Sequence, residues 1–177
     1  EASLLEEGSP LREEAKYIAA DNAGKLAQAQ AALKLVQQQV RYIYVGLNGG
    51  NFTPAKADET WRRRYGDCKG KTVLLLALLR ELGVDAEPVL VANGIPTDGH
   101  PERLASPSLF DHVLVRATID GKDYWMDGTL PAVIEGREHP YFRYQSVLPL
   151  AKAGKPLEQL PERPYELPQD LSLFEID

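Results

Sequence analysis

The chain has 177 residues, 44% of them apolar and 26% charged, with a net charge of −6. That length supports one well-buried core with at most a small appendage. The acidic balance excludes generic nucleic-acid binding, which needs a basic face. No apolar run approaches the roughly 20 residues of a membrane-spanning helix, so this segment is not expected to insert into a membrane. Cys68 is the single cysteine, which rules out an internal disulfide and a thiolate zinc cage. His100, His112 and His139 lack helix-facing metal spacing, and neither a metal nor a cofactor is expected. The chain starts at Glu1 without a signal-peptide pattern and is expected to be a piece of a longer or processed polypeptide.

Residues from about Leu11 to Val40 are rich in alanine, glutamine, leucine and lysine, all favourable in helices. One or two amphipathic helices are expected, with a break at Asp21-Asn22-Ala23-Gly24. Tyr42-Ile43-Tyr44-Val45 reads as a short strand running into the Asn48-Gly49-Gly50-Asn51 turn signal. A short helix carrying Trp61 is expected from Ala55 to Arg64. After Asp67 the chain reads Cys68-Lys69-Gly70-Lys71-Thr72 and then Val73 to Leu82 with almost no polar face. A helix apolar nearly all round belongs at the centre of a domain. Asp67 suits its N-cap and Gly83 its C-terminal stop.

Cys68 therefore stands at the start of the central helix. Unpaired N–H groups and a partial positive charge stabilise an anion there, which favours the nucleophilic thiolate. Gly66 to Thr72 is no phosphate-binding loop. Counting back from Gly70, the first glycine of that motif would fall on Tyr65, and Gly66 is one residue too close.

Glu87 to Ala92 reads as a strand, followed by a polar loop from Asn93 to Ser108. Phe110 to Ile119 and Lys122 to Met126 read as two more strands joined by Asp120-Gly121, a strong hairpin signal. With those two residues as the loop, Ile119 faces Lys122, Asp127 falls opposite Leu114, and His112 falls opposite Thr129. Alternation then sends His112, Leu114, Trp125 and Asp127 to one face. His112 and Asp127 become diagonal neighbours roughly 7 Å apart or closer, within side-chain reach. The other face collects Val113, Val115, Ala117, Ile119, Tyr124 and Met126. A one-residue slip in register would separate histidine from acid.

A thiol, an imidazole and a carboxylate form the set needed for nucleophilic acyl transfer. Gly66-Asp67-Cys68-Lys69, Phe110-Asp111-His112-Val113 and Tyr124-Trp125-Met126-Asp127-Gly128-Thr129 together resemble the transglutaminase-like superfamily. The likeness runs from about Val40 to Leu150. It is nearest to a bacterial branch of large extracytoplasmic proteins in which this module follows a β-rich domain. The resemblance implies an α+β, papain-like fold, its central cysteine-bearing helix packed on an antiparallel sheet that carries histidine and acid. It implies Cys68 as nucleophile, His112 as base and Asp127 as orienting acid, acting on a protein or peptide substrate. It also implies flanking domains and a periplasmic or cell-surface location.

Residues 1–40 are expected to form a helical segment of the same domain, 41–150 the core, and 151–177, with its recurring prolines, a tail or linker. The oxyanion hole would use the Cys68 N–H and a side-chain donor from upstream, where Tyr44 and Asn48 both stand and neither is assigned. Gly70 occupies a place where relatives commonly carry an acid, and Gly128 one where they commonly carry proline. The first change is expected to alter the substrate-side surface of the first helical turn. Trp125 reads as packing or as a cover over the imidazole edge. Arg62, Arg63 and Arg64 read as a solvated helix side more than as a site for acidic substrates. Cleavage or transfer of a peptide or isopeptide acyl group is the expected reaction, through a thioester. A catalytically inactive binding or scaffold module is the alternative.

Overall fold

The computed structural model describes residues 4–44, 53–93, 104, 106–132 and 144–160. Two helices come first, α1 (Leu11–Asp21) and α2 (Lys25–Gln39). They part where Asn22 turns extended and Gly24 takes a φ of 84°. α1 buries Leu11, Ala15 and Ile18, while α2 buries Ala29, Ala32, Leu33 and Val36, the spacing of a single helix stripe. A short strand β1 (Arg41–Tyr42), a short helix α3 (Ala57–Arg63) and strand β2 (Tyr65–Gly66) lead into the central helix α4 (Cys68–Glu81). The two short strands pair in parallel, away from the main sheet.

The main sheet has five strands: β3 (Asp85–Val91), β4 (His112–Ile119), β5 (Lys122–Met126), β6 (Ser146–Pro149) and β7 (Glu158–Gln159). Their order is β5-β4-β3-β6-β7, every neighbouring pair antiparallel. α4 packs against β3 and β4 and against all three other helices. Leu74, Leu75, Leu78 and Leu79 are wholly buried between these layers. The helix ends as Gly83 permits. Its N–H donates to the Arg80 carbonyl at 2.9 Å and that of Val84 to the Leu79 carbonyl at 2.8 Å, the paired bonds of a Schellman stop.

The hairpin turns where its sequence says. Asp120 and Gly121 both have positive φ, 52° and 75°, so the two-residue loop matches the strand twist. Ile119 pairs with Lys122 and Val115 with Met126, which is the register derived from the loop. Val115, Ala117, Ile119, Met126 and Tyr124 accordingly join the helical core.

The opposite face is less polar than the hairpin alone implies. Leu114 and Trp125 pack with Val89, Val91 and Val147 into a second apolar cluster. The reason is β6, which pairs with β3 and supplies Val147 to a face that a three-strand reading leaves bare. On that face Arg116 of β4 forms ion pairs with Glu87 of β3 and Glu158 of β7. Its guanidinium also lies 5.6 Å from the Trp125 ring centroid. Trp125 is thus packed beside Arg116. No helix among the described residues is long and apolar enough to cross a membrane.

Leu78 of α4 lies in the main core and has no exposed surface. Leu78→Ala is expected to lower the unfolding free energy by about 2–5 kcal/mol in urea titrations, through lost transfer energy and a residual cavity.

Candidate active site

The sequence of residues 66–72 dictates a tightly held helix start. Asp67 stays extended and its Oδ1 accepts from the Gly70 N–H at 3.0 Å, capping α4; its other oxygen pairs with Lys69. Cys68 is the first residue of the helix and is 8% exposed. A backbone N–H in this first turn has no intrahelical acceptor and is free for a ligand.

Gly70 is buried and adds nothing to the surface of the first helical turn, which corrects the expectation for that position. It is buried against α3, and a Cβ there would stand 3.0 Å from Thr60 Oγ1. Gly66 is limited in the same way by the Thr60 methyl, also at 3.0 Å. Gly128 is pressed by α2, where a Cβ would come within 3.1 Å of Val36 Cγ1. Both departures from the family pattern therefore sit where a neighbouring helix has taken the space.

His112 opens β4 and Asp127 follows β5 directly. His112 Nε2 and Asp127 Oδ2 are 2.8 Å apart, as the diagonal placement requires. Asp127 Oδ1 accepts from the Thr129 N–H at 2.8 Å and from the Thr129 hydroxyl at 2.6 Å. Gln37 of α2 donates to the Asp127 carbonyl at 3.0 Å. Both side chains of the histidine–acid pair are about nine-tenths buried, at 7% and 10% exposure.

Alternation places His112 on the Leu114 side, and Cys68 at the head of α4 is near enough for its charge to act on the ring. One hydrogen bond holds the junction: Thr72 Oγ1, in the first turns of α4, donates to the Val113 carbonyl at 3.1 Å. Since Nε2 is taken by Asp127, Nδ1 is the nitrogen left for the sulfur.

Burial by itself would lower the His112 pKa. Hydrogen bonds to Asp127 and Cys68, together with their negative charges, outweigh that and raise it to about 9. Burial by itself would raise the Asp127 pKa, but the bonds from His112 and Thr129 and the imidazolium charge hold it below the usual carboxylate range. The pair is arranged as imidazolium and carboxylate. A ring so charged is an acid, able to give its proton to a leaving group.

Two nearby residues carry no sequence signal of their importance. Lys71 is 2% exposed, and its ammonium donates to the Val40 carbonyl just before β1. Burial lowers its pKa, and the Asp127 charge partly offsets this. Tyr42 of β1 pairs with Gly66 in register, and its phenol senses Cys68, Asp67 and Asp127. Only the aromatic character of the 42–45 segment beside a turn could have pointed to it. Of the two upstream donors left open, Tyr44 is 74% exposed and Asn48 lies outside the described residues. Arg63 pairs with Glu59 and Arg64 stacks over Trp61 at 3.5 Å, the behaviour of a solvated helix side. Among the described residues no group of three His, Cys, Asp or Glu side chains could hold a metal ion.

A model of the transglutaminase-like superfamily matches residues 12–126, from α1 through β5. The chain belongs to the transglutaminase-like superfamily. The match contains Cys68 and His112, ends one residue before Asp127, and takes in both N-terminal helices. The fold of this transglutaminase-like chain is also found in solved structures. One, described as a "putative protease" from Parabacteroides distasonis, superposes with a TM-score of 0.64 at 18% identity, covering 92% of this chain and 30% of that one. Another, described as a "putative cysteine protease" from Cytophaga hutchinsonii, gives a TM-score of 0.52 at 21% identity over 69% of this chain and 37% of its own. The transglutaminase-like chain thus spans well under half the length of either. No curated protein matches its sequence.

Two outcomes check the electrostatics. Because the His112 pKa is raised on folding, its proton stabilises the fold fully below the unfolded value of about 6.5 and is lost as pH rises through about 9. The unfolding free energy should fall over that window, and the fall should shrink in His112→Gln. Thr129→Val should raise the Asp127 pKa by removing one donor to the carboxylate, as read by carboxyl NMR titration.

Proposed function

We propose that this chain is a cysteine-dependent acyl-transfer enzyme acting on peptide or isopeptide amide bonds of a protein or peptide substrate. Cys68 is the nucleophile, His112 the base and later the acid, and Asp127 the residue that orients the ring. The observation that supports this reading is the 2.8 Å contact between His112 and Asp127, with Cys68 at the helix start near enough to favour the charged ring. In the first step the sulfur attacks the carbonyl carbon as the thiolate, the proton it has given up resting on Nδ1 of His112. The C–N bond then breaks as the imidazolium protonates the leaving amine, leaving a thioester. Water or an amine attacks the thioester and restores the thiol. Water is the favoured acceptor, since nothing in the sequence identifies a second amine site.

The Asp127 carboxylate serves as more than a spacer. It fixes which nitrogen faces the sulfur and stabilises the imidazolium formed in each half-reaction. Burial of the pair strengthens both effects by excluding water.

Alkylation of Cys68 by iodoacetamide at pH 7 should outrun that of an exposed free cysteine. His112→Ala should remove this advantage and cut turnover by roughly 10²–10⁴-fold, the usual contribution of a positioned acid–base group. Alkylation no faster than a free thiol, and indifferent to His112, would favour a scaffold module.

A further inference from the structure

We propose that Tyr42 is a catalytic residue whose phenolic hydroxyl donates, with the Cys68 N–H, to the carbonyl oxygen of the acyl group as it becomes an oxyanion. This deepens the acyl-transfer reading and rests on it.

The first support is how firmly β1 is held beside the nucleophile. Lys71 Nζ donates to the Val40 carbonyl, the Arg41 N–H to the Arg64 carbonyl at 2.8 Å, and the Ile43 N–H to the Gly66 carbonyl at 3.0 Å. Tyr42 is bracketed by these bonds and lies in register with Gly66, two residues before Cys68. The buried Lys71 ammonium thereby gains a purpose that the triad does not supply. It fixes the start of β1 from inside α4, one helical turn after the nucleophile.

The second support is the state of the phenol. The residue is 43% exposed, and its hydroxyl has no hydrogen-bond partner among the described residues. A donor held on a fixed strand, open to solvent and unpartnered, is available to a ligand. Burial, followed by the charges of Cys68, Asp67, Tyr44 and Asp127, raises its pKa. The hydroxyl keeps its proton through the range in which the enzyme would work, so it remains a donor.

The step balances without a further reactant. The sulfur–carbon bond forms, the carbonyl π pair moves to oxygen, and that oxygen accepts from Tyr42 and from the Cys68 N–H. When the pair returns, the C–N bond breaks and His112 gives its proton to the nitrogen. Donors aimed at the developing charge cost nothing to reorganise during the reaction.

Two probes separate this role from an effect on the sulfur. Iodoacetamide alkylates the thiolate by direct displacement, whereas p-nitrophenyl acetate acylates it through a tetrahedral oxyanion. Tyr42→Phe should slow acylation by roughly 10- to 100-fold and leave alkylation within about twofold, and Tyr44→Phe should change neither. The substitution removes one unpartnered, half-exposed oxygen, so the fold should be unaffected. Unchanged acylation overturns the proposal, as does an equal fall in both rates, which would place the phenol on the sulfur. A wild-type protein that reacts with iodoacetamide no faster than free cysteine overturns the nucleophile reading itself and this proposal with it.

Discussion

Leucine on every side leaves α4 one stable place, the interior, and the rest of the molecule is arranged around meeting that demand. Helices α1, α2 and α3 cover it from one direction and strands β3 and β4 from the other. Burying such a helix also fixes where its N-terminus emerges, because a rigid rod held along its length cannot wander at its end. Cys68 inherits that fixed position. The cap at Asp67 then fixes the first turn, while the bond from Thr72 to Val113 and the reach of Lys71 to Val40 connect it to β4 and to the start of β1.

The hairpin adds the second constraint. A two-residue loop with positive φ at both positions admits one register, and that register carries Asp127 to the side of His112. Geometry and electrostatics then reinforce each other. The contact with Asp127 helps hold the ring charged, the charged ring keeps Asp127 ionised, and Thr129 supplies two further donors to the carboxylate. Burial opposes both charges taken singly and is outweighed only because they are taken together.

What could be read in the sequence follows from how local each signal is. The break between α1 and α2, the limits of α4 and the β4–β5 register depend on residues within a few positions of each other, and all were legible. β6 and β7 were not, since a four-residue strand gains its identity from β3 far upstream and a two-residue strand from β6. The pairing of β1 with β2 was hidden for the same reason, and with it the place of Tyr42 beside Cys68. Lys71 could not be picked out because a lysine near a helix start normally faces water. Its burial depends on a carbonyl 31 positions earlier in the chain. Gly70 was misplaced because only the packing of α3 reveals which side of the first turn is occupied.

The crowding of Thr60 on Gly70 and of Val36 on Gly128 also bears on how this chain can change over generations. A side chain at position 70 requires Thr60 to give by a few tenths of an ångström, and one at 128 requires the same of Val36. The sites are tied in pairs, so the order in which substitutions arrive decides which are survivable. The packing of α2 and α3 therefore bears directly on the two loops beside Cys68 and Asp127.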